Sequence, residues 1–354
     1  MKKTLLLVAA AVALVACSNE ETVRQSAPEA IGFDNAFVEN STRSVNDPSW
    51  SNTNLFSDFA VYGYVENAPL FDNVQVSGSA LNGDWTYTNT QYWIAGAKYN
   101  FAAVAPYANG AAGVFSVAAN GDDYVGTTVL PFTNTGINDV LYAQNEQVVG
   151  ATNNNAKVAF TFRHILSKVK FSFENGYNAS TATIKVYDVK IENAYKTATA
   201  TLGVNSTAWA DQNCDTLALE FGNASDAEAT TDVKERAEVA YDFGKVYESL
   251  NERFLIPGTA PEVTYEVEDA EGNKTNVTEN AYKVTFKVDL LVNNTPVKTY
   301  NHTAYAKFAP EAGNSYDIKT VINAENIDPE NKQEPIEFTV TAIDEWANGA
   351  GQTM

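Results

Sequence analysis

The stretch AYKVTFKVDLLVNN, residues 281–294, alternates apolar and polar side chains with a period of two. Tyr282, Val284, Phe286, Val288, Leu290 and Val292 fall on one face, and Lys283, Thr285, Lys287 and Asp289 on the other. Extended backbone turns successive side chains to opposite faces, so this pattern specifies a half-buried antiparallel strand. Shorter versions recur from Leu55 onward: FAVYGYVEN, paired runs in WTYTNTQYWIAGAKYNFAAVAPYANG split at Ala95-Gly96, NSYDIKTVIN, and EPIEFTVTAIDEW. In AKVAFTFRHILSKVKFSFENG the apolar parity changes, from Val158, Phe160 and Phe162 to Val169, Phe171 and Phe173. Such a change requires a bulge, a turn or passage to another sheet, and it places a domain boundary near Ser167. Helical periodicity is scarce; the best candidate, residues 226–243, reads as a short helix or a loop. The fold class is all-β, with two antiparallel β-sandwiches in tandem over 44–167 and 168–354.

The N-terminus follows a different logic. Lys2 and Lys3 precede an apolar run from Leu5 to Ala16, too short to span a bilayer as a helix. Residues 1–16 therefore read as a secretory leader. Leu14-Val15-Ala16-Cys17 resembles a bacterial lipobox, in which the cysteine thiol receives diacylglycerol. Several acyl chains on Cys17 would hold the protein on the outer membrane. The acidic Ser18-Asn19-Glu20-Glu21 resembles the surface-export signal of Bacteroidetes lipoproteins. With Cys17 acylated, Cys214 has no partner for an intrachain disulfide. Residues 17–43 form a polar linker interrupted by IGFDNAFVE, where Ile31, Phe33 and, after a phase slip, Phe37 suit an edge strand.

The chain carries a net charge of −21 with 23 Lys+Arg and no basic run, which excludes nucleic acid as an expected partner. His164 and His302 are its two histidines, and neither has a His or Cys nearby in sequence. Each reads as structural rather than catalytic or metal-binding. The acidic NGDD (120–123) and EDAEGN (268–273) lack the alternating ligand spacing of a calcium loop and read as turn tips. No phosphate loop and no nucleophile elbow occurs. No catalytic residue, metal or cofactor is expected. Asp215-Thr216-Leu217 resembles a short O-glycosylation signal of Bacteroidetes secreted proteins, which makes Thr216 a candidate glycan site.

Several stretches in order resemble the fimbrillins of Bacteroidetes, the type V pilins and their fimbrillin-like relatives. They are the lipobox at Cys17, IGFDNAFVENSTRS, WTYTNTQYWIAGAKYNFAAVAPYA, FRHILSKVKFSF, GNSYDIKTVIN and IEFTVTAIDEW. The resemblance implies two transthyretin-like sandwich domains and export as a lipoprotein. For many members it also implies removal of the N-terminal segment by an Arg-specific protease, then polymerisation in which a neighbour's strand fills the vacated groove. In this sequence the candidate cleavage step is Arg43-Ser44, and Arg24 is an earlier alternative; the other reading is an uncleaved loop arginine. The candidate donor is 335–346, where Ile336, Phe338 and Val340 alternate with Glu337, Thr339 and Thr341; the other reading has this strand close its own domain's sheet. Expected partners are other fimbrillin subunits, the outer membrane through the lipid, and a host or bacterial surface ligand, with the protein on the cell surface or in a fimbrium. The rival function is a non-polymerising surface lipoprotein that binds glycans, whose sign would be Trp50, Trp85, Trp93 or Trp209 exposed as a flat platform.

Overall fold

The computed structural model describes residues 29–38, 57–78, 85–150, 157–177, 182–215, 217–221, 239–241, 246–248, 252–268, 272–293, 295–330 and 335–343. Its strands in the first half are β1 (Phe33–Val38), β2 (Asp58–Val65), β3 (Ala68–Ser77), β4 (Lys98–Ala105), β5 (Val114–Asn120), β6 (Asp123–Thr133), β7 (Leu141–Val149) and β8 (Val158–His164). The chain continues through β9 (Ser167–Asn175), β10 (Ala182–Ile191), β11 (Thr197–Gly203), β12 (Ser206–Asn213), β13 (Leu219–Phe221), β14 (Val239–Tyr241), β15 (Val246–Glu248) and β16 (Arg253–Leu255). It ends with β17 (Glu262–Glu268), β18 (Lys274–Asn280), β19 (Tyr282–Val292), β20 (Thr295–Ala306), β21 (Ser315–Ile322) and β22 (Thr339–Ile343). One short helical turn, Tyr107–Gly110, occurs among the described residues.

Three apolar cores form, two between sheets and one between a sheet and the segment around Trp85 and Trp93. A six-stranded sheet, β1-β8-β7-β4-β2-β3, is buried on both faces along its inner strands β4 and β2. Its central strand β4 therefore reads as a continuous apolar run rather than an alternation. Phe101 and Ala103 face one core with Phe59, Trp85, Trp93 and Phe160. Ala102 and Val104 face the other, with Phe115, Leu130 and Phe132 from a four-stranded sheet, β12-β11-β6-β5. The third core lies between β13-β10-β19-β20 and β15-β9-β21-β22, with Phe171, Ile184, Phe286 and Ile318 inside.

The parity change after Phe162 is the passage between sheets: β8 ends in the six-stranded sheet and β9 begins in another. Downstream of it, the hairpin β11–β12 joins β6 in register Thr201↔Val129, so the four-stranded sheet takes two strands from each side of residue 167.

On β19 the alternation holds through Leu290, which packs against the third core, and the ladder with β10 runs on without a break to Val292 opposite Ala182, where the strand ends and Val292 is 39% exposed. Opposite Leu290/Leu291 the register with β20 shifts, with Val297 as the extra residue on β20. One local expectation is revised. Within 226–243, the described residues Val239–Tyr241 are a strand paired with β10, not helix; residues 226–238 and 242–243 lie outside the described set. Of the acidic stretches, Asn120–Asp123 spans the hairpin turn between β5 and β6, and 268–273 lies between the antiparallel strands β17 and β18, with residues 269–271 outside the described set.

Candidate assembly site at the sheet edge

β1 is held from two sides. Before the strand, Ile31 N–H donates to Gln91 O at 2.8 Å and Trp93 N–H donates to Glu29 O at 2.9 Å, an antiparallel bridge centred on Ala30 and Tyr92. From Phe33 the chain turns to pair with β8, running parallel, with Phe33 opposite Val158 and Phe37 opposite Thr161. The register slips between Asp34 and Phe37, at the expected phase change. Val158 N–H donates to Gly32 O at 2.8 Å, and Tyr87 OH donates to Ile31 O at 2.7 Å. Burial pushes the Tyr87 hydroxyl above its ordinary pKa and keeps it a neutral donor.

The side chains are seated deeply. Ile31 and Phe33 are each 1% exposed. The Phe33 ring meets Tyr87 at 5.5 Å, Phe71 at 5.7 Å and Phe160 at 5.8 Å between centroids, with Phe59 and Phe101 just beyond. Most of these contacts are edge-on, the favoured geometry for aromatic pairs. Between the two sockets lies Gly32. A Cβ there would stand 3.0 Å from Lys157 Cγ and 3.8 Å from Lys157 Cβ, against a flexible side chain. Asp34 and Lys157 are 3.9 Å apart at the rim, an exposed pair of small energetic weight.

The C-terminal candidate strand lies elsewhere. β22 pairs antiparallel with β21, from Ser315↔Ile343 to Lys319↔Thr339, at the edge of its sheet. Ile336, Phe338 and Val340 turn inward by alternation, yet all three are only partly buried against the third core. Phe338 meets Phe171 at 5.8 Å and Phe286 at 6.2 Å. Residues 335–338 run outside the ladder, tied to β21 by Thr320 Oγ1 donating to Glu337 O at 2.8 Å. A cleft of about 710 Å³ opens beside this segment, lined by Glu174, Lys319, Asn323, Asn326 and Glu337 among others and by no aromatic side chain.

The remaining candidates separate cleanly. Trp85 and Trp93 are in the first core, and Trp209 is half-buried, its ring 5.8 Å from Phe132 and its Nε1–H on Ile165 O. None of these three forms an exposed platform; Trp50 lies outside the described residues. His164 is buried and pairs through Nδ1 with the Asp139 carboxylate. His302 is buried and stacks on Phe286 at 5.0 Å, and burial pushes it down to about 4. Cys17, Arg43, Ser44 and Thr216 lie outside the described residues. The two-sided clamp on 29–33 was not legible from sequence; Tyr87 and the Gln91–Trp93 segment that form it carry no distinguishing local pattern.

A sequence profile of the family described as fimbrillin-like matches residues 42–344. No curated protein matches the chain. Among solved structures, a candidate cell adhesion protein from Bacteroides uniformis is 15% identical over 90% of this chain and 98% of its own, with a TM-score of 0.40. One from Parabacteroides distasonis is 10% identical over 89% and 96%, with a TM-score of 0.42. A candidate adhesin from Bacteroides thetaiotaomicron is 10% identical over 91% and 98%, with a TM-score of 0.31.

Proposed function

The chain belongs to the fimbrillin-like family, and from that premise we propose that it is a structural or adhesive subunit of a surface fimbria, assembled by strand exchange. It is delivered to the outer membrane by the lipid on Cys17 and released by cleavage after Arg43. Cleavage there severs β1 from the body of the protein, because β1 ends at Val38. The vacated groove then takes a strand from a neighbour.

The observation that carries this reading is the match between socket and donor. The groove seats Ile31-Gly32-Phe33, and the C-terminal segment presents Ile336-Glu337-Phe338. In its own sheet Ile336 and Phe338 are half-buried and lie outside the ladder, while Thr339–Ile343 pair with β21. Moving Ile336 and Phe338 into sites where Ile31 and Phe33 are almost wholly buried removes more apolar surface from water, at about 25 cal/mol per Å². In that register Glu337 takes the place of Gly32 beside Lys157, whose ammonium is exposed at the rim and complements a carboxylate. Backbone pairing along the β8 edge supplies the rest, as in strand addition generally. The chain acts as a structural element with no catalytic step. The glycan-binding alternative draws no support from the described tryptophans, which lie in cores.

The experiment is electron microscopy of producing cells with the native gene, with Arg43→Ala and with Cys17→Ser, paired with N-terminal sequencing of the surface form. The expected result is filaments whose subunits begin at Ser44. Arg43→Ala leaves a longer membrane-held chain and no filaments, and Cys17→Ser loses membrane retention. Filaments whose subunits still begin at Cys17 refute release and groove opening.

A further inference from the structure

The outer face of the β12-β11-β6-β5 sheet carries almost no charge. Phe115, Leu130, Phe132, Ala200 and Leu202 point into the core, so their neighbours along each strand point out. One cross-strand row reads Val114–Val129–Thr201–Ala208, the next Pro131–Thr199–Ala210, and Ser116 sits opposite Thr127. Val114 is 63% and Val129 39% exposed. The four strands contain two charged residues, Asp123 at the β5–β6 turn and Asp211 at the irregular end of β12, both at the rim, on a chain with a net charge of −21. Every outward side chain between them is short and uncharged, so the face is flat.

We propose that this face is a self-association surface, on which a second copy of the chain lies sheet against sheet. The partner follows from the charge. Two strongly acidic copies repel wherever carboxylates meet, and this sheet lets them approach without bringing charges together. A flat face is also complementary to itself under a two-fold axis, with sheets stacking about 10 Å apart. The strength follows from the area. Four strands about 4.8 Å apart, each contributing about six residues at about 3.3 Å, give about 400 Å² per copy and about 800 Å² in total. A stable specific pair buries at least about 1,200 Å². The contact is therefore weak between free monomers and effective where many copies are presented together, on neighbouring filaments or a crowded membrane. The filament setting rests on the proposed function; the face-to-face contact does not.

The test uses residues 18–354 tethered by an N-terminal histidine tag to phosphatidylcholine vesicles carrying a nickel-chelating lipid, with vesicle clustering followed by light scattering. β1 is retained, so its groove stays filled and strand exchange does not contribute. Wild-type vesicles should cluster above a threshold protein density, and more strongly at 0.5 M than at 0.05 M salt, because salt screens repulsion between acidic copies. Thr201→Glu and, on a different strand, Ser116→Glu should each lower clustering at least tenfold with an unchanged melting temperature, and Thr201→Ser should keep it. Wild-type vesicles that stay dispersed at every density overturn the proposal. So does clustering unaffected by both glutamates, or dispersed wild-type vesicles that bind immobilised dextran through Thr201, which would assign the face to a glycan.

Discussion

Replacing Phe33 with alanine in a chain that retains β1 removes a ring from the middle of five others. Phe33 is 1% exposed and has five aromatic neighbours, from Tyr87 at 5.5 Å to Phe101 at 6.4 Å. Large-to-small changes at such sites cost the transfer of the lost atoms plus the cavity left behind, about 3–5 kcal/mol for Phe→Ala. The upper half of that range is expected, since the socket walls are ring faces and edges fixed on β2, β3, β4 and β8 and cannot collapse inward. Guanidinium unfolding followed by tryptophan emission reports on it, because Trp85 packs 4.9 Å from Phe59 and Trp93 6.0 Å from Phe101 in the same core. The midpoint should fall with an unchanged slope for the first core. A loss below 1 kcal/mol refutes the idea that the segment before Arg43 fills a groove that must be refilled.

Two further outcomes follow from the same geometry. Phe338→Ala removes a half-buried ring and should cost the monomer about 1–2 kcal/mol in chemical denaturation, yet abolish filaments in micrographs; loss of folding instead would make the strand an indispensable part of its own sheet. His302 should make the protein acid-sensitive. Its folded-state pKa is pushed down to about 4 chiefly by burial, against a hydrogen bond to the Ile327 backbone and the Asp328 charge that favour the cation. An unfolded histidine titrates near 6.5, so the stabilisation is complete above pH 6.5 and is lost as pH falls toward 4, by about 3 kcal/mol. His302→Phe keeps the ring stacked on Phe286 and should flatten the stability profile over that window; an equal slope in both proteins contradicts a buried neutral ring.

Much of this architecture is legible from side-chain periodicity, and the rest is not, for a physical reason. The alternation of Tyr282 through Val288 and the inward Tyr316, Ile318 and Ile322 follow from the pleat alone. The parity change between Phe162 and Val169 marks a passage between sheets because no single strand can reverse its faces without a break. Periodicity says which face is buried, not which strand lies alongside. Nothing in TATATLG or STAWADQN specifies that this hairpin pairs with β6 rather than with its sequence neighbours. Nor does IGF indicate that β1 runs parallel to β8, since parallel and antiparallel edges bury the same alternate residues. The bulge on β20 at Val297, opposite Leu290/Leu291, is hidden for a similar reason: nothing in TPVKTY marks the extra residue. At the candidate site, the spacing of Ile31 and Phe33 made a buried edge strand readable, while the aromatic walls of the socket come from four strands and a loop spread over residues 59–160.

The exchange itself is open to a direct test by disulfide trapping. A Cβ at position 32 would lie 3.8 Å from Lys157 Cβ, within the range a disulfide spans without strain. In a Cys214→Ser background, Gly32→Cys with Lys157→Cys should close an intramolecular bridge in the uncleaved chain. If Glu337 takes the place of Gly32 in the assembled form, Lys157→Cys with Glu337→Cys should give a ladder of covalent oligomers from filaments, with tryptic peptides joining residue 157 of one subunit to residue 337 of the next. Filaments that assemble normally and yield only monomers under oxidation, while the control bridge forms, would contradict the exchange of β1 for the C-terminal strand.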